Sequence, residues 1–153
     1  MAVEIGQQAP DFSLPDKTGA TVSLAEFRAQ KPVVLVFYPF TFTGVCEGEL
    51  CSLRDDIARY EQAGVQVLAV SCDSRFAQAK WAEAQGYNFP LLSDFWPHGA
   101  TAQAYGVFDA EKGCAIRATF VIGTDGVVVD AFHTDSLGTA REQSRYEAAL
   151  AKL

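Results

Sequence analysis

Two mainly apolar runs dominate the hydrophobic pattern of the chain, Val33 to Tyr38 and Val65 to Cys72. Both are rich in β-branched or aromatic residues, which is typical of strands buried on both faces of a sheet. Residues 89–94 predict another short strand. The segments 117–123 and 127–132 flank Thr124-Asp125-Gly126, so they predict a β-hairpin with a tight turn.

Helical periodicity separates these predicted strands. Leu50, Leu53 and Ile57 recur at helical spacing, and Gly64 follows as a stop signal. A second periodic segment ends at Gly86 in the same way. The predicted helices span residues 46–62, 74–85, 100–105 and 139–153.

The N-terminal part of the chain carries a different signal. Short alternating runs around Phe12 and Val22 flank the turn sequence Asp16-Lys17-Thr18-Gly19, which predicts a small N-terminal β-hairpin. Strands that alternate with helices and a closing hairpin predict an α/β sandwich, a mixed β-sheet flanked by helices as in thioredoxin-like folds. We expect residues 1–153 to form one domain.

Composition narrows the possible functions. Of the 153 residues, 49% are hydrophobic and 20% charged, which is the profile of a globular protein with a sizeable core. The net charge of −7, from 12 basic and 19 acidic side chains, argues against a nucleic-acid partner. The apolar runs are too short to cross a membrane, and the N-terminus lacks the basic start of a secretory signal. We therefore expect a cytoplasmic protein.

The four cysteines are spaced at positions 46, 51, 72 and 114, without a C-x-x-C motif. Only two histidines accompany them, which fits a structural zinc site poorly. We therefore expect no metal and no bound cofactor. Cys72 ends a strand and is expected in the core, whereas Cys114 lies in a glycine-containing loop where exposure is possible.

Cys46 lies where the first buried strand gives way to a helix. Catalytic groups of open α/β sheets gather at the carboxyl ends of strands, and a helix start favours a thiolate through its free N–H groups and its dipole. Thr43 lies in the same turn, so its hydroxyl is expected to reach the thiolate or a bound oxygen atom. Pro39 stiffens the turn. Position alone leaves a plainer alternative open, in which Cys46 only packs and Thr43 caps the helix.

The spacing Pro39-x-x-x-Thr43-x-x-Cys46 resembles the P-x-x-x-T-x-x-C signature of the peroxiredoxins, thiol peroxidases of thioredoxin-like fold. Residues 9–14 resemble the N-terminal segment of that family. Residues 117–122 resemble the strand of the family that carries its arginine. Residues 89–108 are similar to the alkyl hydroperoxide reductase E group. The resemblance therefore covers nearly the whole chain.

This resemblance implies the residues of a site. The implied catalytic residues are Pro39, Thr43, Cys46 and Arg117, with Glu49 holding the arginine. The implied substrate pocket contains Phe40, Phe42 and Trp81, although Trp81 also fits ordinary core packing. An apolar pocket wall favours organic hydroperoxides.

The implied reaction is attack of the Cys46 thiolate on a peroxide, which leaves a sulfenic acid. An external thiol or a thioredoxin- or glutaredoxin-like protein would then reduce it. A peroxide sensor that relays oxidation to a partner protein is the alternative function. A thioredoxin-like disulfide reductase would share the fold but needs a C-x-x-C motif.

Aromatic residues in loops near the site also suggest a homodimer: Phe40, Phe42, Phe95 and Trp96.

Cys51 is the open question of the sequence. Its five-residue offset from Cys46 is similar to the Q-type peroxiredoxins, whose second cysteine resolves the first. Five residues of helix rise ~7.5 Å and turn by about 140°, whereas a disulfide needs Cα atoms within about 7 Å. Cys51 can therefore resolve Cys46 only if the helix start unwinds, which Gly48 would ease. The alternative is that Cys51 has no resolving role and is only a small buried residue of the helix.

Overall fold

The structure of the protein is a computed structural model that describes residues 2–153. Within the described residues, nine strands occur in chain order: β1 (Ser13–Pro15), β2 (Thr21–Ser23), β3 (Val33–Phe37), β4 (Gln66–Ser71), β5 (Leu91–Ser93), β6 (Phe108–Asp109), β7 (Cys114–Ala115), β8 (Ala118–Ile122) and β9 (Val128–His133). The α-helices are α1 (Gly44–Asp55), α2 (Ile57–Gln62), α3 (Arg75–Gln85), α4 (Ala100–Ala104) and α5 (Gln143–Leu150). A 3₁₀ turn spans Leu24–Phe27.

Five of the strands form the central sheet, in the order β5-β4-β3-β8-β9. β3, β4 and β5 run parallel, whereas β8 is antiparallel to β3 and β9 to β8. The register places Leu35 beside Leu68 of β4 and Phe120 of β8. The predicted α/β sandwich with a mixed sheet of thioredoxin-like type is confirmed.

Strand β3 lies at the centre of the sheet and is buried on both faces. Because side chains alternate along a strand, Val34 and Val36 join one core with α1, α2, α3 and α5, while Leu35 and Phe37 join another. The second core is covered by α4, by the 3₁₀ turn and by the hairpin β1–β2. The absence of polar alternation in this run thus reflects a strand with core on both sides.

Both predicted hairpins are present, since β1 pairs with β2 and β8 with β9 in antiparallel register. Gly126 in the second turn has a φ of +83°, a conformation that glycine adopts without steric cost. The short pair β6–β7 was not predicted. Its two-residue strands are too short to produce a periodic pattern. Within residues 2–153, no helix is long and apolar enough to cross a membrane.

Two predicted helices have different bounds in the structure. The segment 46–62 is not one helix, because Asp56 takes φ −97° and ψ 5° and separates α1 from α2. The C-terminal helix begins at Gln143 rather than at residue 139. Arg141, which lies before the helix, forms a buried ion pair with Glu49, and its backbone N–H also donates to Glu49. A long-range contact therefore overrides the local helical pattern there.

Gly99→Ala is expected to destabilise the fold more than Gly86→Ala. Both glycines have a φ of +70°, so alanine at either position carries the strain of a left-handed backbone, about 1–2 kcal/mol. At Gly99 the added Cβ would also overlap the ring of Phe108, and overpacking of this kind costs about 1–3 kcal/mol more. Urea unfolding of the two variants measures the difference, and equal losses would contradict the overlap.

Candidate active site

The turn between β3 and α1 presents Cys46 at the start of a helix. Thr43 is the residue before the helix, with extended backbone angles, and the first helical hydrogen bond runs from Glu47 N to Thr43 O over 2.8 Å. Cys46 is therefore the third residue of α1, and its N–H precedes the regular hydrogen-bond ladder. Its sulfur therefore lies near the positive end of the helix dipole.

The sulfur of Cys46 lies next to the guanidinium of Arg117. Arg117 Nη1 lies 3.2 Å from Cys46 Sγ, and both residues are buried. The Nε of Arg117 donates to the carbonyl oxygen of Leu137 over 2.6 Å. The strand β8 begins one residue after Arg117, so the sheet fixes its backbone while Leu137 fixes its side chain. The structure thus brings together two residues that are 71 positions apart in the chain.

Glu49 lies one helical turn after Cys46 and holds two arginines. Its Oε1 accepts from Arg117 Nη1 over 2.7 Å and from Arg141 Nη2 over 2.9 Å. Its Oε2 accepts from the Nε and from the backbone N of Arg141 over 2.9 and 2.7 Å. Glu49 is therefore in direct contact with Arg117, and it joins α1 to two distant segments.

Arg141 is a site residue that the sequence pattern did not indicate. Its Nη1 also donates to the carbonyl oxygens of Phe37 and Ala118, over 2.7 and 2.9 Å, which ties it to β3 and β8. Its partner Glu49 is 92 positions away, so no local motif could reveal the pair. Charge provides the one available signal, because a buried thiolate and a buried carboxylate need two cations.

The charges of this cluster leave a net positive charge beside the sulfur of Cys46. Burial by itself would raise the pKa of Glu49, but the hydrogen bonds and charge of Arg141, with the charge of Arg117, hold that pKa below the ordinary value of glutamate. Two guanidinium groups and one carboxylate sum to one positive charge, and Arg117 Nη1 lies 3.2 Å from Cys46 Sγ.

Thr43 and its neighbours form a tight turn above the start of α1. The Thr43 hydroxyl donates to the carbonyl oxygen of Phe40 over 2.6 Å, and within residues 2–153 it caps no N–H group of α1. Thr43 therefore holds the N-cap position of α1 through its backbone and not through its side chain. Phe42, directly before Thr43, has a φ of +65°. This conformation is costly for a bulky side chain, at about 1–3 kcal/mol, and such strain clusters at functional sites.

The three aromatic residues expected around the substrate have unequal positions. Phe40 and Phe42 are 39% and 57% exposed, whereas Trp81 is completely buried. The ring of Trp81 packs against Tyr38, Phe42 and Tyr87, with centroids 5.1–6.2 Å apart. Trp81 therefore occupies the core beneath Phe42 and has no exposed surface.

Cys51 faces away from the Cys46 cluster, towards the end of α3. Its Sγ lies 3.5 Å from the hydroxyl of Tyr87 and 3.7 Å from Oε1 of Gln85. Gln85 Nε2 also donates to Glu47 Oε1 over 2.8 Å, next to Cys46 in the chain. These contacts hold the first half of α1 against α3, so Cys51 is half-buried as part of the helix packing.

The other two cysteines are buried. Cys72 is in the core as expected, but the exposure considered for Cys114 is wrong, because Cys114 is 0% exposed in β7. Burial raises the pKa of Cys72 to about 12 and that of Cys114 to about 11. Both remain protonated near neutral pH and are therefore poor nucleophiles. All four cysteines are free thiols.

Metal ligands do not converge in the part of the chain that the structure describes. Among residues 2–153, no group of three or more His, Cys, Asp or Glu side chains is arranged to hold a metal ion. The groups that the site does contain are a thiol and a guanidinium at a helix start.

Known proteins resemble this chain over nearly its whole length. A family model described as the AhpC/TSA family matches residues 5–131. Alkyl hydroperoxide reductase E of Mycobacterium tuberculosis is 44% identical over 151 residues, which cover 99% of this chain and 98% of that protein.

Solved structures are also similar. The crystal structure of peroxidoxin BcpB from M. tuberculosis has a TM-score of 0.85 at 34% identity, covering 97% of this chain and 95% of that one. AhpC of Enterococcus faecalis has a TM-score of 0.88 at 28% identity and covers 99% and 92% of the two chains.

Arg141→Met is expected to lower the free energy of unfolding by about 3–5 kcal/mol, because it leaves a buried carboxylate with one cation less. Arg59→Met is the control, since Arg59 pairs with Glu147 at the surface and such pairs contribute about 0–1 kcal/mol. Urea denaturation at neutral pH measures both variants. A loss for Arg141→Met no larger than that of the control would contradict the role of the buried cluster.

Proposed function

The chain belongs to the AhpC/TSA family and is a thiol-dependent peroxidase, and we propose that Cys46 is the thiol that attacks the peroxide. The observation that carries this proposal is the 3.2 Å contact between Cys46 Sγ and Arg117 Nη1 at the start of α1. Cys51 Sγ instead contacts Tyr87 and Gln85, and burial raises the pKa of Cys72 and of Cys114.

In the proposed first step, the thiolate of Cys46 attacks the terminal oxygen of a hydroperoxide. A sulfur–oxygen bond forms as the O–O bond breaks. The electron pair of the O–O bond leaves with the oxygen that is not attacked, and this oxygen takes up a proton and departs as an alcohol or water. Cys46 becomes a sulfenic acid. No other co-reactant takes part in this step.

Arg117, Thr43 and the N–H of Cys46 hold the two peroxide oxygens in this mechanism. A guanidinium suits the task better than an ammonium, because its planar fork can contact the sulfur and an oxygen together. Preorganised donors of this kind stabilise the charge that develops on the leaving oxygen. Glu49 and Arg141 act indirectly, by fixing Arg117. Pro39 stiffens the turn that carries Thr43.

A thiol must then reduce the sulfenic acid, and we propose that Cys51 takes part. Cys51 would condense with Cys46 to a disulfide and release water, and an external thiol or a thioredoxin- or glutaredoxin-like protein would reduce that bond. The first half of α1 must unwind for this step, and the contacts of Cys51 with Gln85 and Tyr87 must open. If Cys51 is only a packing residue, the external thiol attacks the sulfenic acid directly.

The substrate class and the assembly are further parts of the proposal. Phe40 and Phe42 are exposed near the site, and their apolar rings favour organic hydroperoxides besides hydrogen peroxide. The exposed Phe95 and Trp96 extend the apolar surface, which suits a homodimer contact. The expected cytoplasmic location stays a prediction. The relatives described above offer no support for the alternative of a peroxide sensor.

Cys46→Ser is expected to abolish the consumption of peroxide with dithiothreitol as the reductant, because a serine hydroxyl cannot replace the thiolate. Cys72→Ala and Cys114→Ala are matched controls that remove a thiol of high pKa, and both should keep the activity. The assay follows the loss of hydrogen peroxide and of cumene hydroperoxide. Turnover that survives in Cys46→Ser would refute the assignment.

The role of Cys51 is tested by intact mass after one equivalent of peroxide, without added thiol. We expect the loss of two hydrogens, the signature of a disulfide, and the gain of one oxygen in Cys51→Ser. Peptide mapping should find Cys46 and Cys51 in the disulfide. A stable gain of one oxygen in the wild-type protein would show instead that Cys51 does not resolve Cys46.

A further inference from the structure

The carboxylate of Asp73 lies beside the turn that connects β3 to α1, outside the cluster of Cys46 and the arginines. Its Oδ2 accepts a hydrogen bond from the backbone N of Thr41 over 2.8 Å and another from the hydroxyl of Ser71 over 2.7 Å. Hydrogen bonds to a carboxylate are about twice as strong as those between neutral groups. Asp73 therefore anchors the backbone of the turn to the end of β4.

Asp73 is itself held in place from two sides. Gln78 of α3 donates through Nε2 to the hydroxyl of Ser71 over 2.9 Å and to the carbonyl oxygen of Leu92 over 2.8 Å. The hydroxyl of Ser93 donates to the backbone carbonyl of Asp73 over 2.6 Å. These bonds link Asp73 to α3 and β5, which are rigid parts of the fold.

The turn that Asp73 anchors contains the strained residue of the site. Phe42 has a φ of +65°, and a bulky residue keeps this conformation only where its surroundings determine it. On one side, Thr41 is held by Asp73 and by the Tyr38 hydroxyl, 3.1 Å from its Oγ1. On the other side, Thr43 is held by the carbonyl oxygen of Phe40.

We propose that Asp73 is a positioning residue for peroxide reduction. It holds the strained turn Phe40–Thr43 in the conformation that presents the Thr43 hydroxyl to the peroxide above Cys46. The carboxylate acts through the backbone of Thr41 and does not touch the substrate. This inference rests on the roles proposed above for Cys46 and Thr43.

The test compares two reactions of Cys46 in Asp73→Ala. The rate constant for oxidation by hydrogen peroxide is expected to fall at least about tenfold, since small misplacements of catalytic groups have large effects. Alkylation of Cys46 by iodoacetamide needs the thiolate but not the peroxide donors, so its rate should stay within about threefold. Quenched samples and peptide mass mapping report both reactions at Cys46 itself.

Three further variants separate positioning from general stability. Asp73→Asn keeps an acceptor oxygen for Thr41 N and should recover most of the oxidation rate. Ser71→Ala frees the Asp73 carboxylate from one donor and should slow oxidation less than Asp73→Ala. Asp94→Ala is the control, because Asp94 is a buried carboxylate that binds Thr101 N and Ala102 N instead, and it should leave the ratio of the two rates unchanged.

Slower oxidation with unchanged alkylation in Asp73→Ala, with recovery in Asp73→Asn, would support the inference. Equal falls in both rates, or no fall in either, would overturn it. If Asp73→Ala does not fold, Ser71→Ala provides the same comparison, and unchanged oxidation there would also count against the inference. Oxidation of the wild-type protein at a cysteine other than Cys46 would refute the proposed function instead, which keeps the two failures distinct.

Discussion

The carboxylate of Glu49 between the guanidinium groups of Arg117 and Arg141 is the interaction on which the rest of the site depends. It joins α1, the start of β8 and the segment before α5 at one buried point. Because isolated buried charges are costly, the three segments must be packed against one another for these charges to be paired. The two cations exceed the carboxylate by one charge, and this excess lies beside the sulfur of Cys46. The same ion cluster thus joins three segments of the fold and surrounds the sulfur with positive charge.

The second constraint is the strained turn before α1. The parallel strands β3 and β4 end at the same edge of the sheet, so the turn after β3 lies near the residues that follow β4. Asp73 uses this proximity to bind Thr41 N. The conformation of Phe42, costly in isolation, is compatible with a stable fold because Asp73 binds Thr41 on one side and α1 begins at Thr43 on the other.

The proposed catalytic cycle makes opposite demands on α1. A folded helix start is needed to bring the N–H groups, the dipole and Arg117 to Cys46 for the peroxide step. An unwound start is needed if Cys51 is to reach the oxidised sulfur. The contacts of Cys51 and Glu47 with Gln85 and Tyr87 favour the folded form. The strength of this α1–α3 packing, together with the weak helix former Gly48, therefore sets how readily the cycle can pass through a disulfide.

Features that depend on residues close together in the chain could be predicted from the amino-acid sequence. Local spacing indicates the two buried strands, the hairpin around Thr124-Asp125-Gly126 and the motif from Pro39 to Cys46, and the structure has the strands and the hairpin as predicted. The folded structure was needed to reveal the pairing of Arg141 with Glu49, the anchoring of Thr41 by Asp73, the burial of Cys114 and the later start of α5. These features arise where segments far apart in the chain meet in a low-dielectric interior, and there the need to pair charges and hydrogen-bond donors outweighs local preference.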